Sequence, residues 1–599
     1  MTTSDHPAGL QSAQLGAGLK PNLEPQLELQ LDPPGESEAV WPVVVVGAGP
    51  TGLLLTHLLA KRGVKVCLID QLESVVQEPR AVSIDDESLR SLADAQVLEG
   101  FLPQITLSYG VHYYSWRQRL FAKVEPRNEE YGHPKRNAFR QQQLVAHLFE
   151  TLKHYPQVTV RMGTRLEALE QEQAEDSPHR LGSQDPGAVL HCLHQGAPLT
   201  LRCRYVVACD GARSSVREKL GLAFDGSTYS QRWLITDMIG REDTFRHTRT
   251  YCDPKRPAIR LPGPQGTLRY EFMLHHHETS EEVLDEKVYG QWIRDRHAPD
   301  AQLTLLRKVV YTFHARVASQ WKKGSVLLAG DAAHLTPPFA GQGMNSGIRD
   351  ATNLAWKLAQ VVQGQASARL LETYECERKP HAWSLIQMAL RIGVVMQPMT
   401  LWGAVWVQSL LKVACWVPAA RDYILHLKFK PKPRFKAGFF DAQTPKGAKV
   451  ACGQLMPQPR MQRFDSSMGL LDEFCADGFV LLQWAHEAPA VPTSPMDWRH
   501  APALKVIHVL RASEDFLPSS TAGSAGEQSG DCPCIRDVDG QLEGILSSAH
   551  ARGVLLRPDH YVLTYIGQDE AWPQARIDAL FFGLDAQPSP NTPKTTALS

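Results

Sequence analysis

The chain has 599 residues, 43% of them hydrophobic, and a formal net charge of −1. That length supports two or three domains with real cores, and the even charge balance gives no footing for nucleic acid or for an acidic membrane surface. The 11 cysteines are scattered with no C-x-x-C pair, a pattern that fits a reducing cytoplasm and hence a cytoplasmic protein.

Residues 1–39 lack a basic stretch followed by an apolar core, so they are not read as a signal peptide. They are rich in Gln, Pro, Gly and Leu, and a disordered N-terminal tail is expected.

Four valines, Val43 to Val46, then read as a strand buried on both faces. Gly47, Gly49 and Gly52 follow at G-x-G-x-x-G spacing, with Pro50 and Thr51 between them. In a dinucleotide-binding turn the first glycine makes the turn, the second admits a pyrophosphate and the third lets helix and strand pack. A helix is predicted from Thr51 to Arg62, carrying Leu53, Leu54, Leu55, Leu58 and Leu59, and its N-terminus offers free N–H groups to phosphate. Val64 to Ile69 is the second strand. Asp70, at its tip, lies 18 residues beyond Gly52, close to the spacing of an acid that takes a ribose hydroxyl. An acid there would repel a 2′-phosphate, so the nucleotide held at this turn is not NADP. The competing reading is a glycine-rich turn in some other βαβ unit, and the motif alone admits NAD or FAD.

Tyr205 to Asp210 is a second strand-to-acid pattern, with Gly211 and a helix start through Arg217. Arg232–Gly240, Thr267–Leu274 and Leu306–Ala315 read as strands of a separate sheet (about 226–319). In Thr267–Leu274 the even positions are apolar and the odd ones mostly polar, which predicts a sheet packed on one face. Tyr270 and Phe272 are read as core. The run His275-His276-His277 is not spaced like a metal site, and no metal is expected. Gly324 to Asp331 repeats the strand-to-acid pattern. His334 is read as structural. The loop Thr336 to Asn345 leads into a helix through Asp350, Leu354 and Leu358.

Ile392 to Leu411 carries no charged residue and is long enough to span a bilayer. Pro398, two glutamines and the flanking Lys412 speak against a span. Trp402, Trp406 and Leu410 fall at helical spacing, so a buried helix over the nucleotide domain is preferred, with peripheral membrane contact as the alternative. Pro431 and Pro433 mark a linker. A smaller unit is expected over 445–583, with strands near Phe479–Gln483, Leu504–Leu510 and His560–Tyr565, an insert from Ser513 to Gly530 and a final helix near Trp572–Phe582. Residues 584–599 read as a flexible tail. Cys532-Pro533-Cys534 is too tight for a thioredoxin motif.

The three strand-to-turn fingerprints, in this order, resemble the aromatic-ring flavoprotein monooxygenases of the para-hydroxybenzoate hydroxylase type. Pro79–Arg90, Arg136–Gln141 and Gly343–Asp350 are most similar to the subgroup acting on 3-(3-hydroxyphenyl)propionate and 3-hydroxycinnamate. The resemblance covers about 40–435 firmly and the remainder more loosely. It implies an α/β fold with an α+β insert: an FAD-binding Rossmann-like domain (40–435) with the sheet interleaved as a roof over the substrate. A C-terminal thioredoxin-like domain without redox cysteines would follow, structural or dimer-forming in role.

The resemblance also assigns residues. FAD would be held by Gly47, Gly49, Pro50, Thr51, Gly52, Asp70, Gln71, Arg80, Gln141, Asp210, Arg217, Gly330, Asp331, Gly341, Gly343, Met344 and Asn345. Asp331 would accept from the ribityl chain, and the loop Gly341–Asn345 would lay N–H groups against the flavin pyrimidine. Pro337 and Pro338 would line the pocket at the oxygen-reacting edge, with Pro338 and Arg80 acting in catalysis. The implied reaction hydroxylates a small phenolic acid ortho to its hydroxyl, with O2 and NADH or NADPH as co-substrates. Bland alternatives stand beside these roles: Asp210 as a helix cap, Arg80 as a surface cation. A propionate on the substrate calls for an arginine. Arg260 and Arg269 lie in the right region, although a solvent-facing salt bridge is the favoured fate of either. Other readings are a hydroxylase of a different phenol (resorcinol, chlorophenol or polyketide) or a flavin-dependent dehydrogenase.

Overall fold

The computed structural model describes residues 40–570, apart from 77, 79, 173–186, 242–243, 399, 476, 486–503 and 515–533, together with 576, 577 and 580. Both expected tails, most of the 513–530 insert and most of the expected terminal helix lie outside the described residues.

The valine run forms the strand Trp41–Val46, whose Val43, Val44 and Val45 are wholly buried. It lies at the centre of an eight-stranded sheet, parallel to Val66–Ile69 on one side and to Ala197–Ala208 on the other. Val326–Leu328 extends the parallel set beyond Ala197–Ala208. Val46 pairs with both Ile69 and Ala208, and Ala208 with Leu328. This register places the three expected turns side by side at the carboxyl ends of the strands, where open α/β sheets bind ligands.

Helix α1 (Pro50–Lys61) opens with proline in its first turn, where a missing N–H costs nothing. Two glycines make its entry possible. Gly47 has φ +110, and a Cβ there would lie 2.4 Å from the Cys209 carbonyl oxygen; a Cβ on Gly52 would lie 2.0 Å from the Gly47 carbonyl oxygen. Helix α2 (Gly343–Val362) packs across α1.

The second sheet also has eight strands. Its centre is Thr304–Ala318, Phe224–Ile239, Thr267–Met273 and Ala258–Pro262, which contain the three expected strands. It starts earlier in the chain than about 226. Val111–Ser115 pairs parallel with Thr248–Cys252, and Leu120–Val124 pairs with Val111–Ser115. Such long-range parallel pairing leaves no local mark in a sequence. The one-face reading of Thr267–Leu274 is corrected: residues 268–272 are all buried. Leu268, Tyr270 and Phe272 pack with Tyr289 and Ile293 from the covering helix Glu286–His297. On the other face, Arg269 and Glu271 are buried as ion partners.

Helix α3 (Glu372–Met396) is followed by a sharp bend and helix α4 (Leu401–Ala414). The expectation that Trp402, Trp406 and Leu410 face inward is overturned: they are 77%, 75% and 69% exposed. Ala404 and Gln408 are the buried residues of α4, and Gln408 Nε2 donates to the Cys252 carbonyl. The spacing of the large apolar residues was helical, but the same period served the smaller inward stripe. No single helix among the described residues is long and apolar enough to cross a membrane.

The C-terminal residues form a seven-stranded mixed sheet that contains the three expected strands, with helix Gln541–Ser548 against it. Phe479, Leu481, Leu555 and Leu563 from this sheet join the large core of the first sheet. The segment read as a linker is pinned: Lys430 Nζ lies 2.8 Å from Glu87 and 3.0 Å from Asp85.

Candidate active site

The site is built where the aligned turns meet the N-terminus of α2. At the first turn, Asp70 Oδ2 accepts from the Ala48 N–H at 2.7 Å and Oδ1 from the Leu72 N–H at 2.8 Å, so the acid closes the glycine loop; Gln71 beside it is exposed. A Cβ on Gly49 would meet nothing within 4 Å, in contrast to Gly47 and Gly52. Open space at that one glycine, in front of a helix N-terminus, is the room a pyrophosphate needs. At the second turn Asp210 Oδ2 accepts from Val216 N and Ser215 Oγ, at 3.2 and 3.3 Å, at the start of helix Ser215–Lys219. Arg217 is buried and donates to the Ala332 and Ala212 carbonyls at 3.1 Å, with its guanidinium over Phe224. It therefore ties the second turn to the third.

The third turn carries Gly330 (φ +61) and Asp331. A Cβ on Gly330 or on Gly347 of α2 would fall within 3 Å of Thr51 Oγ1, so Thr51 is the wedge around which turn and helices fit. Burial pushes the Asp331 carboxyl above its ordinary value, and the nearby His334 and Arg80 charges oppose this. Behind the turn lies a fully buried cluster centred on Asp350. Its Oδ2 accepts from the Gly330 N–H (3.0 Å) and pairs with His334 Nε2 (2.7 Å), while Oδ1 accepts from Arg378 Nε (2.9 Å). Burial alone would raise this carboxyl, but His334 and Arg378 bring it down to about 2. His334 is thus structural, as read from the sequence.

Pro337 and Pro338 open a short turn that ends at Gly341, whose φ of +62 is left-handed. Gln342 then caps α2, and the N–H groups of the helix's first turn, Gly343, Met344 and Asn345, have no helical partner to donate to. The Asn345 side chain locks this loop in place. Its Nδ2 donates to the Gly341 and Ser83 carbonyls, and its Oδ1 accepts from Asp85 N and Ser88 Oγ. Gln141 Oε1 accepts from Ala81 N at 2.6 Å and so holds the segment next to Arg80. Arg80 is 60% exposed at its side chain and pairs with Glu78 at 3.3 Å, although its charge reaches Asp331 and Tyr311.

Over the Pro-rich loop sits an aromatic box. Trp233 and Phe313 from the second sheet contact Phe339, with centroids 6.0 and 5.7 Å away, and Met396 of α3 closes the group. Gly393 leaves the room: a Cβ there would be 2.9 Å from the Phe339 ring. Trp233 Nε1, Thr336 Oγ1 and Gln397 Nε2 are buried polar atoms without a hydrogen-bond partner in this neighbourhood. Such orphan donors are costly unless a ligand meets them.

Two expected partners for a carboxylate are corrected. Arg260 is not solvent-facing: it is buried with Asp300, Nε to Oδ2 2.6 Å. Arg269 is buried with Asp237 at 2.7 Å and donates to the Arg80 carbonyl. Arg269 pairs with Asp237 across neighbouring strands, while Arg260 pairs with Asp300 from the short helical turn Ala298–Gln302. His112, Glu125 and His247 lie within ligand reach of one another, but the two imidazoles stack with centroids 4.9 Å apart and His112 bonds to Glu125. Metal ligands would instead turn their ring edges toward a common point.

Sequence reasoning missed the scaffold carboxylates Asp85, Glu87 and Asp350 with their partners Arg349 and Arg378. Arg349 Nε donates to Glu87 at 2.6 Å, Nη2 to Asp85 and Nη1 to Gln342 Oε1. The stretches 79–90 and 343–350 were picked out, but nothing in either says that one pairs with the other. Trp233 was also missed, since an indole in a strand reads as core.

The chain matches the family described as FAD binding domain over residues 41–389, and that described as HcaD C-terminal domain over residues 453–577. It is 34% identical over 543 residues to a 3-(3-hydroxy-phenyl)propionate/3-hydroxycinnamic acid hydroxylase of Mycolicibacterium smegmatis, covering 90% of this chain and 93% of the relative. A protein of the same description from Comamonas testosteroni is 32% identical over 581 residues, covering 88% and 94%. Among solved structures, aklavinone-11 hydroxylase with FAD and aklavinone has a TM-score of 0.70 at 22% identity, covering 91% of this chain and 99% of that one. The flavin-dependent monooxygenase PieE with FAD and substrate has a TM-score of 0.72 at 19% identity, covering 92% and 100%. At those identities the structures show a shared fold.

Proposed function

Because the chain belongs to the FAD-binding family of flavoprotein aromatic hydroxylases, we propose that its substrate is a phenol bearing a three-carbon acid side chain, hydroxylated ortho to its own hydroxyl. NADH or NADPH supplies two electrons and O2 both oxygen atoms: phenol, O2, NAD(P)H and a proton give catechol, water and NAD(P)+. The observation that carries this reading is the aromatic box of Trp233, Phe313 and Phe339, with its orphan donors, directly over the Pro337–Pro338 loop. Relatives that cover nine-tenths of the chain and are named for 3-(3-hydroxyphenyl)propionate support the substrate class.

FAD, when bound, supplies the electron transfer and oxygen activation. The chain supplies the rest. The glycine loop and the α1 N-terminus hold the pyrophosphate, Asp70 a ribose and Asp331 the ribityl hydroxyls. The free N–H groups at the start of α2 would hold the flavin ring and favour negative charge on it. Phe339, Phe313 and Met396 exclude water and clamp the substrate ring. Trp233 Nε1, Thr336 Oγ1 and Gln397 Nε2 offer donors to its oxygen atoms, since Arg269 is already committed to Asp237 and Arg260 lies on the opposite face of the sheet with Asp300.

The test is NAD(P)H oxidation and O2 uptake by the yellow protein with and without 3-(3-hydroxyphenyl)propionate, with the product's mass recorded. Strong stimulation and a gain of one oxygen atom are expected. Stimulation that yields only hydrogen peroxide would reject this substrate, and no stimulation by any phenol in a panel would reject ring hydroxylation.

A further inference from the structure

Helix α4 is amphipathic in the wrong direction for a helix that meets only water. Its inward stripe is Ala404, Gln408 and Leu411, which rests on strand Leu120–Val124 and on Cys252. Its outward stripe is Trp402, Trp406, Leu410 and Val413, continued by Trp416 (73% exposed) and Val417. Three tryptophans on one contiguous face, each about three-quarters exposed, form a patch of the kind that marks an interaction surface.

The charges on the segment that carries the patch are of one sign, and the next acid along the chain, Asp422, is already paired with Lys428 and His426. The whole chain is balanced, with 63 basic and 64 acidic residues, yet from Pro380 to Arg421 there is no Asp or Glu, and the charged residues are Arg391, Lys412 and Arg421. All three are exposed. A second copy docking through the same face would bring these cations toward their own kind with no acid in the segment to meet them. An anionic surface meets both parts: tryptophan and leucine enter the interface while lysine and arginine face the headgroups. The geometry limits the depth. Fourteen residues make a helix of about 21 Å, short of the roughly 30 Å of a bilayer core. The helix also turns through 113° from the preceding one instead of extending it.

We propose that α4 and the turn after it form a membrane-docking face that lies in the headgroup region of an anionic bilayer. The face is linked to the site along the chain: α3, whose Gly393 and Met396 pack on Phe339, is followed four residues later by α4.

The test uses the full-length FAD-loaded protein and vesicles of phosphatidylcholine, with or without phosphatidylglycerol. Co-sedimentation with the phosphatidylglycerol vesicles is expected, at least tenfold above phosphatidylcholine alone and weakened by high salt. Brominated lipid should quench tryptophan fluorescence. The triple variant W402S/W406S/L410S should abolish both signals while keeping FAD content and NAD(P)H oxidation, and K412E/R421E should lower binding at least tenfold. Absence of wild-type binding at millimolar lipid, or full binding by the triple variant, overturns the proposal. So does a wild-type dimer that the triple variant converts to monomer without any vesicle binding, which would make the face a contact between copies.

Discussion

Glu377 of α3 and Arg557 of the C-terminal sheet face each other across the two halves of the molecule as a bidentate pair, Oε1 to Nη1 2.9 Å and Oε2 to Nη2 3.0 Å, with both side chains fully buried. Lys357 of α2 and Asp559 complete the cluster. A buried pair of this kind is weak evidence of net stabilisation, but removing one member leaves the other charged and dry. Arg557→Met should therefore cost about 3–5 kcal/mol in denaturant unfolding, and Glu377→Gln with Arg557→Met together less than Arg557→Met alone. A double variant as unstable as the sum of the singles would show that the pair is not coupled.

Acid should undo the fold through two such carboxyls. Burial raises both, but Arg557 and Lys357 hold Glu377 at about 2, and His334 and Arg378 hold Asp350 at about 2. A carboxyl held below its unfolded value of ~4 stabilises the fold above that pH, and the contribution is lost as pH falls from ~4 toward 2. The melting temperature should stay nearly level between pH 7 and 5 and drop steeply below 4. Asp350→Asn should melt lower at pH 7 and show a shallower drop below pH 4. Equal slopes in the two proteins would remove Asp350 from the account.

The sheet carrying the nucleotide turns was legible because its signal is local. Four valines, three motif glycines and an acid lie within 28 residues, from Val43 to Asp70. What was not legible depends on partners far away in the chain. Asp350 reads as a polar position on a helix until Gly330 and Arg378 are brought to it, and Arg349 as a surface charge until Asp85 and Glu87 surround it. Helix α4 failed for another reason. Its sequence has two stripes of helical period, and only the neighbouring strand Leu120–Val124, itself unforeseen, decides which one turns inward.

The glycine loop separates binding from folding. Gly49 has ordinary backbone angles (φ −81, ψ 179) and open space at its Cβ position. Gly49→Val should fold with an apoprotein melting temperature close to wild type and bind FAD about a hundredfold more weakly, ~2.8 kcal/mol, in a fluorescence titration. Gly52→Val should instead fail to fold, since its Cβ would lie 2.0 Å from the Gly47 carbonyl oxygen. Unaltered FAD affinity in Gly49→Val would place the pyrophosphate elsewhere.

Trp233 offers the sharpest probe of the proposed substrate site, because its donor can be deleted while an aromatic ring is kept. Its ring is 1% exposed and its Nε1 has no hydrogen-bond partner, so the site carries the cost of that buried donor until a ligand meets it. Trp233→Phe keeps an aromatic ring against Phe313 and Phe339 and deletes the donor. The protein should become no less stable than the smaller ring alone dictates, while the KM for the phenolic substrate rises about three- to tenfold, as befits one hydrogen bond of ~1 kcal/mol. If the donor also fixes the ring's orientation, more of the NAD(P)H consumed should end as hydrogen peroxide and less as catechol. An unchanged KM together with unchanged coupling would assign Trp233 to packing alone and shift the substrate's polar contacts to Thr336 and Gln397.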